Sequence, residues 1–136
     1  MNIKIGVRYE DFILGMSKKE VIRKFGNPSK IYFNDLDEPC FEYNEKQVIL
    51  KFKIDFDINS PNNEKLSLII IKDKLATIKG FYLWNFKKNK IKDIFEKELK
   101  TKAIMEDYKT VDTLYFEKFR LKFSFELGKL TSIHIK

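Results

Sequence analysis

At 136 residues the chain has the length of one domain and is too short for two independent enzymes. Leu, Ile, Val and Phe supply 46 of those residues, which excludes a disordered chain and provides a core that needs no disulfide or metal staple. The net charge of +7 rests on lysine, with only Arg8, Arg23 and Arg120 as arginines; together with abundant Ile, Asn and Phe this is what AT-rich coding produces, so it is read as a lysine-coated, soluble surface.

Residues 15–28 contain the first clear element. Ser17 and Glu20 have capping-box spacing, Met16 can staple onto Val21, Gly26 supplies the left-handed residue after a helix, and Pro28 forbids continuation. A two-turn helix with both ends specified is predicted. Short strands are then expected at Lys30–Phe33 and Cys40–Tyr43. Val48, Leu50, Phe52, Ile54, Phe56 and Ile58 alternate with polar residues, the pattern of a long strand with one buried and one wet face. Asn59 to Asn63 reads as a loop and Leu66 to Lys72 as a strand. Asp73-Lys74 reads as a hairpin turn into a strand over Leu75 to Leu83.

The second half repeats this order. A helix is predicted from about Asn89, with Ile91, Ile94, Phe95 and Leu99 at helical spacing and Asp93–Lys97 as an i,i+4 pair. Strands follow at Lys102–Asp107, Val111–Glu117, Phe119–Leu127 and, after Gly128-Lys129, at Leu130–Ile135. Val21-x-x-x-Phe25 aligns on Ile91-x-x-x-Phe95, and Leu50-Lys51-Phe52 on Leu121-Lys122-Phe123. The expected architecture is therefore α+β: a single compact domain over 1–136 made of two αββββ-type repeats, about 9–80 and 81–136. They would pack side by side as antiparallel sheets with helices on one face.

Gly15-Met16-Ser17-x-x-Glu20-Val21-x-x-x-Phe25-Gly26-x-Pro28 resembles the Gly-Met-Thr/Ser…Val…Gly-x-Pro signature of the small outer-membrane-assembly lipoproteins. The tandem helix-plus-sheet plan resembles the β-lactamase inhibitor protein. The resemblance implies a bacterial protein that binds proteins: an envelope scaffold, an enzyme inhibitor, or an immunity protein that neutralises a cognate toxin. Met1 to Gly6 lacks the apolar region of a signal peptide, and the longest apolar run, Leu68–Ile71, cannot span a bilayer. A cytoplasmic protein without membrane insertion is therefore expected, and the inhibitor or immunity branch is preferred.

Catalysis, metal and cofactor are not expected. Cys40 opens a strand and His134 lies between Ile133 and Ile135 in the last one, with no flanking motif for a nucleophile and base. The single cysteine rules out a multi-thiolate metal site, and the five glycines are scattered among caps and turns.

Charge layout supplies the candidate partner-binding residues. Asp35, Asp37, Glu38, Glu42 and Glu45 form a stretch without a base, near Tyr43, and would mimic an anionic substrate of a toxin or enzyme. The wet sheet face would present Lys51, Lys53, Asp55, Arg120 and Lys122, with Tyr115 nearby. Trp84 is either a core residue or an interface anchor. The alternative class is a nucleic-acid-binding module using Lys87–Lys102, where seven lysines face Asp93, Glu96 and Glu98; the free chain is expected to be a monomer or homodimer.

Overall fold

A computed structural model describes residues 2–55 and 63–136. The expected continuation of the long strand through Phe56 and Ile58, and most of the loop after it, lie outside these described residues.

The chain is α+β; among the described residues it has two α-helices, a four-stranded mixed sheet and an eight-stranded antiparallel sheet. Three short N-terminal strands, β1 (Asn2–Lys4), β2 (Arg8–Tyr9) and β3 (Phe12–Ile13), lead into helix α1 (Lys18–Phe25). Strands β4 (Lys30–Phe33), β5 (Pro39–Tyr43), β6 (Val48–Asp55) and β7 (Asn63–Ile71) follow. After β8 (Thr77–Ile78) comes α2 (Lys88–Leu99), then β9 (Ile104–Tyr108), β10 (Val111–Phe116), β11 (Leu121–Glu126) and β12 (Lys129–Ile135).

Helix α1 forms where its caps place it. The Ser17 hydroxyl oxygen accepts the Glu20 N–H at 3.1 Å, and Gly26, at φ +81°, donates its N–H to the Ile22 carbonyl at 2.8 Å. Glu20 answers Ser17 through its carboxylate, which accepts the Ser17 hydroxyl at 3.2 Å. The junction before the helix is tied to the sheet by Gly15 N–H to Leu66 C=O at 2.8 Å and Leu66 N–H to Met16 C=O at 2.7 Å. Helix α2 starts from Lys87 with no side-chain cap and ends at Lys100 in the left-handed region, so its position rests on burial of Ile91, Phe95 and Leu99.

The large sheet runs β4-β5-β6-β7-β12-β11-β10-β9. Ile133 pairs with Ile71 and Ile135 with Ile69, so the two sheets expected side by side are hydrogen-bonded through β7 and β12 into one continuous sheet. The strand expected over Leu75–Leu83 is replaced by the two-residue β8, which pairs in parallel with β1 in the small sheet. Asp73 redirects the chain there: its carboxylate accepts the Leu75 N–H at 2.9 Å and the Tyr9 hydroxyl at 3.0 Å. Burial pushes the Tyr9 hydroxyl well above its ordinary pKa, reinforced by that bond to Asp73.

Leu50, Phe52, Ile69, Ile71, Phe123, Phe125, Ile133 and Ile135 project from one face of the large sheet and are fully buried. Both helices and the small sheet contribute to the same core. Phe25 of α1 meets Tyr43 edge-on at 6.3 Å, and Phe95 of α2 lies 5.2 Å from Phe123. The opposite face of the sheet is the open one.

Candidate functional site

Cross-strand register defines that open face residue by residue. One row crosses all eight strands as Lys30, Glu42, Ile49, Ile70, His134, Lys122, Tyr115 and Ile104. Side chains directly opposite one another on antiparallel strands project from the same face, about 5 Å apart. The centre is thus aliphatic and imidazole, with Lys30 and Glu42 towards one end and Lys122 and Tyr115 towards the other.

At the sheet's middle His134 lies opposite Ile70 on one side and Lys122 on the other. Its Nε2 lies 2.9 Å from the Ser132 hydroxyl. Burial first, and then the ammonium groups of Lys122, Lys136 and Lys72, together push the imidazole pKa down to about 4. Lys136 also sits over the Tyr115 ring, 5.3 Å from its centroid. Neutral His134 is therefore an uncharged hydrogen-bonding group surrounded by lysines at neutral pH.

Most of the charged candidates on the sheet reach this face. Lys51 and Lys53 project from β6 and Lys122 from β11, with Lys51 bridged to Glu38 at 3.3 Å. Asp55 ends β6 opposite Asn63. Arg120 is exposed at the left-handed residue closing the 3-10 turn Glu117–Phe119, at the margin of the face. Half-buried Tyr115 stands between Lys122 and Ile104.

The acidic stretch does not form one patch. Asp35 and Asp37 are exposed in the β4–β5 turn, whereas Glu45 is exposed in the β5–β6 turn at the other end of β5. A five-residue strand separates the two turns by about 17 Å. Asn34 builds the first turn, its side-chain oxygen accepting the Leu36 N–H at 3.0 Å and the Glu38 N–H at 2.9 Å. Glu38 is committed internally: the Asn34 amide, and then Lys51, hold its carboxyl below the usual carboxylate range. Glu42 lies half-buried on the open face beside Lys30.

Two aromatic candidates are withdrawn from any surface role. Tyr43 shares the inward side of β5 with Phe41, is 5% exposed, and donates its hydroxyl to the Gly26 carbonyl at 2.8 Å. Strand alternation with Phe41 was the signal for this. Trp84 is 8% exposed and donates its indole N–H to the Ala76 carbonyl at 3.1 Å, locking the chain between β8 and α2 into the core.

Cys40 and His134 share the open face but are separated by the strands β6 and β7, three strand spacings or about 14 Å. Burial raises the Cys40 thiol pKa, and its Sγ donates to the Glu38 carbonyl at 3.6 Å. Among the described residues no group of three or more His, Cys, Asp and Glu is placed to hold a metal. In the basic stretch 87–102, Lys88 bridges Asp107 at 3.4 Å and Asp112 at 3.3 Å, and Lys92 bridges Glu96 at 3.1 Å. Those contacts turn part of its charge inward.

No protein-family model matches the sequence, and no curated protein matches it. Among solved structures, an extracellular protein containing an SCP domain, from Bacillus anthracis str. Ames, is similar in fold. The TM-score is 0.52 at 11% sequence identity, over 98% of this chain and 47% of that one. The chain therefore spans about half the length of the protein it matches.

That match corrects two expectations. The resemblance to the outer-membrane-assembly lipoproteins and the β-lactamase inhibitor protein does not stand, because the fold aligns over nearly its whole length with a different protein. The 15–28 motif is accounted for by the local chemistry of a short capped helix entering a sheet, which any family can use. The cytoplasmic expectation, which rested on a chain start without an apolar segment and on the lack of a membrane-spanning run, is overturned by the same finding, since the matched protein is extracellular.

Proposed function

We propose that this chain is a non-catalytic protein-binding module that works outside the cell and holds its partner stoichiometrically on the open face of the eight-stranded sheet. The observation that carries the reading is that face itself: a broad surface with aliphatic centre Ile49 and Ile70, ringed by Lys51, Lys53, Lys122 and Tyr115. A surface of this kind combines an apolar centre with charges that steer a partner and set its register. The 14 Å separation of Cys40 from His134 supports a non-catalytic role. The extracellular setting is carried over from the matched protein, of which the aligned part is about half. Inhibition of a cognate toxin or enzyme by occlusion is the specific form proposed. We further infer an internal duplication from the sheet order, in which the four strands of the large sheet that follow each helix run from an outer edge inward to the central β7–β12 pair.

The test is co-expression with the product of the adjacent upstream gene, followed by sizing of the pair. A 1:1 complex is expected, with at least a tenfold loss of affinity in the Lys51→Glu/Lys122→Glu double variant. Absence of a complex, or a complex indifferent to that double reversal, overturns the reading.

A further inference from the structure

We propose that two copies of this chain pair through their β4 edges, antiparallel about a two-fold axis at Tyr32. The proposal stands apart from the open-face reading, because edge pairing leaves that face uncovered.

The eight-stranded sheet ends at β4 on one side and β9 on the other. These edges differ in a way that bears on association. Strand β9 also exposes Ile104, Met105 and Tyr108, but it carries Glu106 and Asp107 among them, so charge guards that edge. Strand β4 has no charge between Lys30 and Asp35. Instead Ile31 is 60%, Phe33 65% and Leu36 of the following turn 77% exposed. Unguarded polar backbone beside exposed apolar side chains is the combination that recruits another strand.

Backbone phase selects the register. The Asn34 N–H donates to the Glu38 carbonyl at 3.1 Å, and Pro39 opposite Phe33 has no N–H to give. Antiparallel ladders alternate hydrogen-bonded and non-bonded pairs, so Lys30, Tyr32 and Asn34 bond inward to β5, and the N–H and C=O groups of Ile31 and Phe33 point outward. A second β4 set antiparallel, with Ile31 opposite Phe33 of the second copy, matches outward donors to outward acceptors in two hydrogen-bonded pairs. The same register places Ile31 and Phe33 of both copies on one face as a single apolar cluster, with the two Tyr32 side chains meeting at the axis.

Charge selects a second copy in antiparallel orientation. The strand begins with Lys30 and runs into a turn carrying Asp35 and Asp37. Antiparallel apposition sets the basic end of each copy against the acidic end of the other, twice; parallel apposition would set like against like. A four-residue strand and one turn make a small interface, so association in the range of tens of micromolar is expected.

Sedimentation equilibrium of the full chain, from about 5 to 500 µM, tests this. A reversible dimer is expected, weakened at least tenfold by Phe33→Lys, whose folding is verified by circular dichroism. Because Tyr32 occupies a non-bonded pair with Cα atoms about 4.5 Å apart, Tyr32→Cys in a Cys40→Ser background should oxidise to a covalent dimer. Ile31→Cys in the same background should not, since Ile31 faces Phe33. A chain monomeric at 500 µM, a dimer unaffected by Phe33→Lys, or equal cross-linking through both cysteines overturns the proposal.

Discussion

The two faces of the eight-stranded sheet are built from alternate residues of the same strands, and they have opposite physical character. Ile71 is fully buried under the helices and small sheet, while Ile70 beside it is half-buried on the open side. Phe123 packs against Phe95 and Phe116, while its neighbour Lys122 faces His134. One face accounts for why the chain folds, and the other is the one proposed to hold a partner. The difference teaches that a core-forming surface and an open one are separated here by a single residue step along a strand.

The sharpest way to break this comparison is to place the same charge on each side. Ile71→Lys buries an unpaired ammonium and removes a core side chain, an expected loss of more than about 4 kcal/mol that leaves the chain unfolded in water. Ile70→Lys should cost less than about 1 kcal/mol. Urea denaturation of both variants decides the matter; similar losses would mean that the open face is covered as well.

A smaller effect sharpens it through His134. Its pKa of about 4 lies below the ordinary value of 6.5, so the unfolded chain binds the proton more readily than the folded one. This contribution to stability is whole above about pH 6.5 and declines as pH falls towards 4. The pH dependence of the urea midpoint should therefore flatten over that window in His134→Gln. An NMR titration of His134 with a midpoint near 6.5 would show instead that burial and the surrounding lysines do not act on it.

The smallest effect is expected at the Lys51–Glu38 pair, whose side chains are each about a fifth to a quarter exposed. Lys51→Ala should destabilise by about 0–1 kcal/mol, measured by thermal denaturation at low and high salt. A larger loss would place Lys51 among the structural residues and remove it from the proposed binding face.

Several local features were legible in the residues. Ser17, Glu20 and Gly26 specify α1 because capping is decided within a few bonds of the helix ends. The alternation of Val48, Leu50 and Phe52, and of Leu121, Phe123 and Phe125, identifies the inward side of β6 and β11 because side chains of a strand point alternately to its two faces. The same alternation places Tyr43 inward with Phe41, a signal outweighed in the reading by its acidic neighbours. The small sheet was not legible, since two-residue strands such as β2 and β8 are too short to show a period.

What the sequence by itself determined is the two helices, the long strands of the large sheet and which side of each is apolar, because capping and alternation depend on near neighbours. Only the tertiary structure decided that β7 pairs with β12, that Asp35 and Glu45 lie at opposite ends of a strand, that Trp84 is spent on the core, and that β4 is left as a bare edge. Those outcomes depend on which strands pair across long separations of chain, and pairing is selected by burial of the whole apolar face at once rather than by any local residue pattern.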